Sequence, residues 1–124
     1  MQGLLLFAHG ARDPNWALPF EAVAARVRQQ QPDVPVRLAF LEFMAPDIAT
    51  AGTELAEAGC TQVSVFPLFL GAGGHVRRDL PAALEQLRAR WPNTNFILHP
   101  AVGELDDVIN AMAQSAVQLL MNTR

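Results

Sequence analysis

The chain has no lysine, one cysteine and no apolar run long enough to cross a bilayer, and each shortage removes a class of function. A lone cysteine, Cys60, excludes an internal disulfide; its place between Gly59 and a strand pattern reads as a buried structural thiol. A membrane-spanning helix needs about 20 consecutive apolar residues, which this sequence does not supply. No basic segment followed by a cleavable hydrophobic stretch opens the chain, so no targeting signal is expected and the cytoplasm is the default location. All nine basic residues are arginine, the net charge is -3, and none of the arginines forms a run, which argues against nucleic-acid binding. Arginine is instead the better planar reader of carboxylates and phosphates, although a compositional bias would give the same count. Low-complexity segments, linkers and internal repeats are missing too. Residues 1–124 are therefore expected to form one domain with a single core.

What is present alternates. Gly3–Ala8 reads as a strand, and Asp13-Pro14 supplies an N-cap and first-turn proline for a helix over Trp16–Gln31, with Phe20, Val23, Ala24 and Val27 on one face. Val34–Leu41 is a second strand, and Pro46–Ala58 a second helix closed by Gly59. Thr61–Leu68 forms a third strand. Asp79-Leu80-Pro81 resembles another cap with its proline, which places a third helix over Leu80–Trp91. Asn95–His99 is a fourth strand, and Glu104–Met121 a last amphipathic helix carrying Leu105, Val108, Ile109, Met112, Val117 and Leu120. Such alternation predicts an α/β three-layer sandwich with a four-stranded parallel sheet in the flavodoxin-like order 2-1-3-4. Strands 1 and 3 then adjoin at the topological switch point, where ligands bind.

Two histidines follow those strands: His9, before Gly10, and His75, after Leu70-Gly71-Ala72-Gly73-Gly74. Both imidazoles are expected on one rim of the sheet. The glycine run matches neither a P-loop nor a dinucleotide fingerprint, and its open backbone suits a wide cleft for a large planar ligand. Glu42 ends strand 2 on the same rim, where it could orient an imidazole, take a proton or touch a metal. Arg12, Arg77 and Arg78 are placed to meet carboxylates. His99 sits one strand further away and reads as structural. Two imidazoles without a third strong ligand describe an open, weak metal site, unlike a closed structural zinc site. Imidazole accepts Co²⁺, Ni²⁺, Fe²⁺ and Zn²⁺ alike, so the ligands do not choose the metal.

Three segments carry a resemblance: Ala8-His9-Gly10-Ala11-Arg12-Asp13-Pro14, Ala39-Phe40-Leu41-Glu42-Phe43-Met44-Ala45-Pro46, and Pro67-Leu68-Phe69-Leu70-Gly71-Ala72-Gly73-Gly74-His75-Val76-Arg77-Arg78-Asp79-Leu80-Pro81. They resemble the sirohydrochlorin chelatases, and more closely the short, single-domain cobaltochelatase type. The resemblance implies a class II chelatase fold and ATP-independent insertion of a divalent metal into sirohydrochlorin, with the metal as substrate and no permanently bound cofactor. It assigns His9 and His75 as metal ligands and His9 as the base for pyrrole protons. Substrate contacts fall on Leu70, Gly71, Ala72, Gly73 and Gly74 and around Glu42 and Ala45. Ala11 stands where many relatives have serine, which loses a hydroxyl but no ligand. The histidine-rich insertion of nickel-inserting archaeal relatives is missing, which lowers the nickel reading, and the likeness to the cobaltochelatase type puts cobalt ahead of iron or nickel. Two-domain relatives hold the macrocycle between their halves, and this chain is about one half, which implies a homodimer. Two other readings stand beside this one. One is a non-catalytic metal or tetrapyrrole carrier. The other is a histidine-phosphatase-like activity, which lacks its usual arginine because Ala8 precedes His9.

Overall fold

In the computed structural model of the chain, which describes residues 1–71 and 73–123, strand β1 (Gln2–Ala8) lies inside the sheet. Its Leu5, Leu6, Phe7 and Ala8 are all buried, as expected of a strand covered on both sides. β1 pairs in parallel with β2 (Val36–Phe40) on one side and β3 (Gln62–Pro67) on the other, and β3 pairs with β4 (Asn95–Leu98). The sheet order is β2-β1-β3-β4, as the alternating pattern predicts. Ala72, one of the glycine-run residues, lies outside the described residues, as does the side chain of His75.

Helices α2 (Ile48–Glu57) and α3 (Gly74–Arg90) cover one face. There Leu5, Phe7, Val63, Val65 and Phe96 meet Ala51, Leu55, Val76, Leu80, Leu84 and Leu87 in the main core. Cys60 belongs to this core, where burial pushes its thiol pKa up, in line with a structural role. On the other face α1 (Leu18–Gln30) packs mainly on β2, around Leu6, Ala24 and Val36. The expected apolar stripe on α1 is only partly used: Ala24 is buried, Phe20 and Val27 are half-buried, and Val23 is exposed.

Local signals mark most boundaries. Asp13 caps a short 3-10 turn (Pro14–Ala17) ahead of α1 by accepting from the Asn15 amide at 3.0 Å. Asp47 caps α2 by accepting from the Thr50 amide at 2.8 Å, so Pro46 stays outside the helix. Gly59, at φ 98°, follows the α2 C-cap in the left-handed conformation that glycine tolerates best.

The third helix departs from expectation. It begins at Gly74, with Gly73 as N-cap, and runs through Pro81. Asp79-Leu80-Pro81 has the composition of a helix start, but packing decides otherwise. Val76, Leu80, Leu84 and Leu87 are spaced to bury one continuous stripe, which outweighs the single amide hydrogen bond that the proline removes. His75 therefore lies in the first turn of a helix rather than in a loop, and Arg77 and Arg78 stand near the helix start, as expected. The last helix, α4 (Asp106–Asn122), follows a 3-10 turn (Val102–Glu104), and none of its residues is buried.

Candidate metal and macrocycle site

Gly10 joins the ends of β1 and β2. Its φ is +92°, and a Cβ there would run into the carbonyl of Glu42. This close approach lets two backbone hydrogen bonds continue past the strands: Leu41 N–H donates to the Ala8 carbonyl at 3.0 Å, and Glu42 N–H to the His9 carbonyl at 3.1 Å. The two side chains are thereby brought together. His9 Nδ1 stands 3.8 Å from Glu42 Oε1, with the side chains 49% and 50% exposed. Two groups each about 2.1 Å from a shared ion in tetrahedral geometry would lie about 3.4 Å apart, so the 3.8 Å separation is close to the spacing that one ion would require.

From the β3 side, Phe69 supports the imidazole. Its ring is edge-on to His9 at 5.9 Å between centroids and edge-on to Phe7 at 5.7 Å, and it is itself buried. His9 thus sits over the β1–β3 junction, the predicted switch point. The outer rim is apolar and cationic together. The Arg12 guanidinium lies 5.0 Å over the Phe43 ring, and Phe43, at φ 64°, is 58% exposed. A non-glycine residue in that region is uncommon and carries backbone strain, which marks the loop as specialised. Leu70, on the β3 side, is 67% exposed.

The glycines after Leu70 serve space rather than turn geometry. Gly71, Gly73 and Gly74 are exposed, and a Cβ on any of them would meet nothing within 4 Å. The fold itself does not demand glycine there, but a flat ligand lying on the backbone would. Arg77 and Arg78 are exposed in the first turns of α3. Ala45 lines a cavity at the β2 edge with Arg28, Arg37 and Pro46. His99, just past β4, lines a different cavity of about 520 Å³ behind Phe69, with Arg77 and Glu104.

His9, Glu42, Arg12 and the glycine run were legible in the sequence as rim residues. Phe43 and Phe69 were not singled out as site residues, although an aromatic directly after Glu42 and outside any strand was the available signal. Among the described residues, no group of three or more histidine, cysteine or acidic side chains is arranged to hold a metal. The site is open, with His9 and Glu42 as its paired part.

Comparison with known proteins places the chain among named families and folds. The CbiX family profile matches residues 3–119. A sirohydrochlorin cobaltochelatase of Sulfolobus acidocaldarius is 29% identical over 122 residues, covering 96% of this chain and 95% of that protein. A sirohydrochlorin cobaltochelatase of Priestia megaterium is 25% identical over 112 residues; the match takes in 90% of this chain but only 36% of that longer protein. The crystal structure of a cobalamin (vitamin B12) biosynthesis CbiX protein from Marinobacter aquaeolei VT8 superposes with a TM-score of 0.85 at 28% identity, covering 98% of this chain and 99% of that one. With the CbiX profile matching residues 3–119, nearly the whole of the fold described above, the chain belongs to the CbiX family.

Proposed function

We propose that the protein inserts a divalent metal, cobalt ahead of iron or nickel, into sirohydrochlorin without ATP, as a homodimer in the cytoplasm. The observation that carries this reading is the His9–Glu42 pair at 3.8 Å on an open rim beside an exposed glycine run. Relatives named as sirohydrochlorin cobaltochelatases and a ferrochelatase support the substrate class.

The chemistry follows from the groups on the rim. The incoming ion exchanges water for imidazole, with His9 and His75 as its ligands. The macrocycle loses two pyrrole protons as its nitrogens take the ion. Glu42, or His9 once the ion has left it, accepts each of the two protons in turn and passes it to bulk water, which both reach because each is half exposed. Arg12, Arg77 and Arg78 meet the carboxylate arms of the macrocycle, and the flat ring lies on Leu70–Gly74 with Phe43 at its edge. A partly solvated, weakly liganded ion is one that the protein can release into a better ligand.

Anaerobic metallation of sirohydrochlorin, followed by absorbance with Co²⁺, Fe²⁺ and Ni²⁺ in parallel, tests this reading. Acceleration over the uncatalysed rate that disappears in the His9→Ala/His75→Ala double variant is the expected result. A folded protein that binds the tetrapyrrole and accelerates none of the three metals would instead be a carrier.

A further inference from the structure

Eight glycines occur in the chain, and backbone contact demands two of them. A Cβ on Gly10 would strike the Glu42 carbonyl; one on Gly103 would strike the Leu70 carbonyl oxygen and lie 2.6 Å from the Leu70 Cα. At Gly3 and Gly52 the obstacle is a side chain, and at Gly59, Gly71, Gly73 and Gly74 nothing lies within 4 Å. Both backbone contacts fall at the foot of a site loop. Gly10 ties the end that carries His9 to the end that carries Glu42. Gly103, in the 3-10 turn after β4, meets the residue from which the glycine run departs. Its φ lies outside the left-handed region, so space alone excludes a side chain there.

The sheet explains why such a contact is needed. β3 and β4 pair as far as Val65 and Leu98, and the His99 amide donates to the Val65 carbonyl at 3.0 Å. Pro67 and Pro100 follow on the two strands, and neither has an amide with which to continue the ladder. The cavity of about 520 Å³ opens there, with Pro67, Phe69, His99 and Pro100 in its lining. On the β1 side the Leu68 amide still donates to the Phe7 carbonyl at 2.7 Å. On the β4 side the tie resumes at Gly103, whose amide donates to the Phe69 carbonyl at 3.0 Å. The turn that presents this amide is closed on itself. Ala101 N–H donates to Glu104 Oε2 at 3.0 Å, and Glu104 N–H to the Ala101 carbonyl at 2.9 Å. One short turn therefore seats Leu70, after which Gly71 offers no side chain to pack.

We infer that Gly103 is a positioning residue for the macrocycle, with Glu104 holding its turn: the close seat of Gly103 on Leu70 sets where the glycine run leaves the sheet. The inference rests on the reading of Leu70–Gly74 as the surface on which the flat tetrapyrrole lies. An alanine at this position keeps an allowed backbone conformation but pushes Leu70 away, because the obstacle is backbone and cannot rotate aside. A misplacement on the order of 1 Å far from the reacting atoms can cost roughly 10²-fold. Here the loss falls on macrocycle binding, since Leu70 and the glycines carry no group that moves a proton. Phe69 keeps its edge-on contact with Phe7, so the brace on His9 is expected to stay.

Gly103→Ala, Glu104→Ala and Glu104→Gln in the full chain test this, with Gly59→Ala as the control for destabilisation alone. Gly59, at φ 98°, precedes β3 at the end of the sheet opposite the rim. Sirohydrochlorin without metal is titrated into each protein, and metallation then gives KM and kcat. Gly103→Ala is expected to raise the dissociation constant and KM by up to roughly 10²-fold, with kcat close to wild type. Glu104→Ala should move both in the same direction by less. Glu104→Gln, whose amide oxygen still accepts from Ala101, should restore them. Gly59→Ala should lower the melting temperature and leave KM alone. Should Gly103→Ala not fold, the Glu104 pair carries the same test, because Glu104 is exposed. A second readout needs no ligand: in amide NMR spectra Gly103→Ala and Glu104→Ala should shift the Leu70, Gly71, Gly73 and Gly74 signals, and Gly59→Ala should not. Unmoved signals overturn this inference on its own, whereas a wild type that binds no sirohydrochlorin overturns the chelatase reading and this inference with it. A Gly103→Ala protein that loses melting temperature but keeps wild-type affinity, or a Glu104→Gln protein as impaired as Glu104→Ala, also overturns it.

Discussion

At the scale of single residues, the backbone hydrogen bonds between the β1 and β2 ends hold His9 against Glu42. His9→Ala is expected to lower metallation turnover by roughly 10²–10⁴-fold, the usual worth of a positioned proton acceptor. Glu42→Gln keeps the shape, loses the charge and should cost roughly 10–100-fold, as removal of a partner that orients a ligating imidazole does. His99→Ala should leave most of the turnover, since His99 lines the cavity behind Phe69 rather than the rim; a dead His99→Ala beside an active His9→Ala would overturn the site assignment. Gly10→Ala should impair activity and stability together, because its Cβ would strike the Glu42 carbonyl and its φ of +92° disfavours any side chain. Thermal unfolding beside the metallation rate reads both effects. Most of these positions were legible in the sequence, because a histidine or a glutamate directly after an apolar run has few other places to be. Phe69 was not, because its role comes from facing an imidazole on another strand.

At the scale of elements, capping explains where the helices begin and packing explains where that rule fails. The Asp47 carboxyl accepts from the Thr50 amide, with a further hydrogen bond to the Thr50 side chain, and is held below the usual carboxylate range. A depressed carboxylate stabilises the fold above its unfolded value of about 3.9 and loses that contribution as pH falls through its lower folded value. Asp47→Ala should therefore cost about 1 kcal/mol at neutral pH and less in strong acid, while Asp47→Asn should retain most of the cap. Urea melts at the two pH values check the sign. At α3 the Asp-Leu-Pro sequence points to a start at Leu80, and the helix begins six residues earlier, at Gly74. A local rule weighs three residues; the buried stripe from Val76 to Leu87 weighs a whole face.

At the scale of the whole molecule, a bare helix predicts that assembly and stability are linked. If the proposed homodimer covers α4, whose Ile109 and Leu119 are exposed in the single chain, the melting temperature should rise with protein concentration, because dilution removes the partner. An Ile109→Glu/Leu119→Glu variant should then lose that dependence and melt at a lower temperature at every concentration. Differential scanning fluorimetry across a hundredfold dilution reads both. The proposed function gains from the same arrangement, since a macrocycle is wider than one rim and a second copy supplies another.

By itself the sequence determined the βα alternation and the strand ends at which His9, Glu42 and the glycine run fall. Apolar runs, caps and glycines act over a few residues and leave readable periods. It also marked α4 as amphipathic, but periodicity shows that a face must be buried and never against what. Tertiary structure alone decided the sheet order, that Phe69 braces His9, that Arg12 covers Phe43, and that α1 lies mainly over β2. Those outcomes depend on which residues distant in sequence share a surface, and that is settled only when the whole chain has packed.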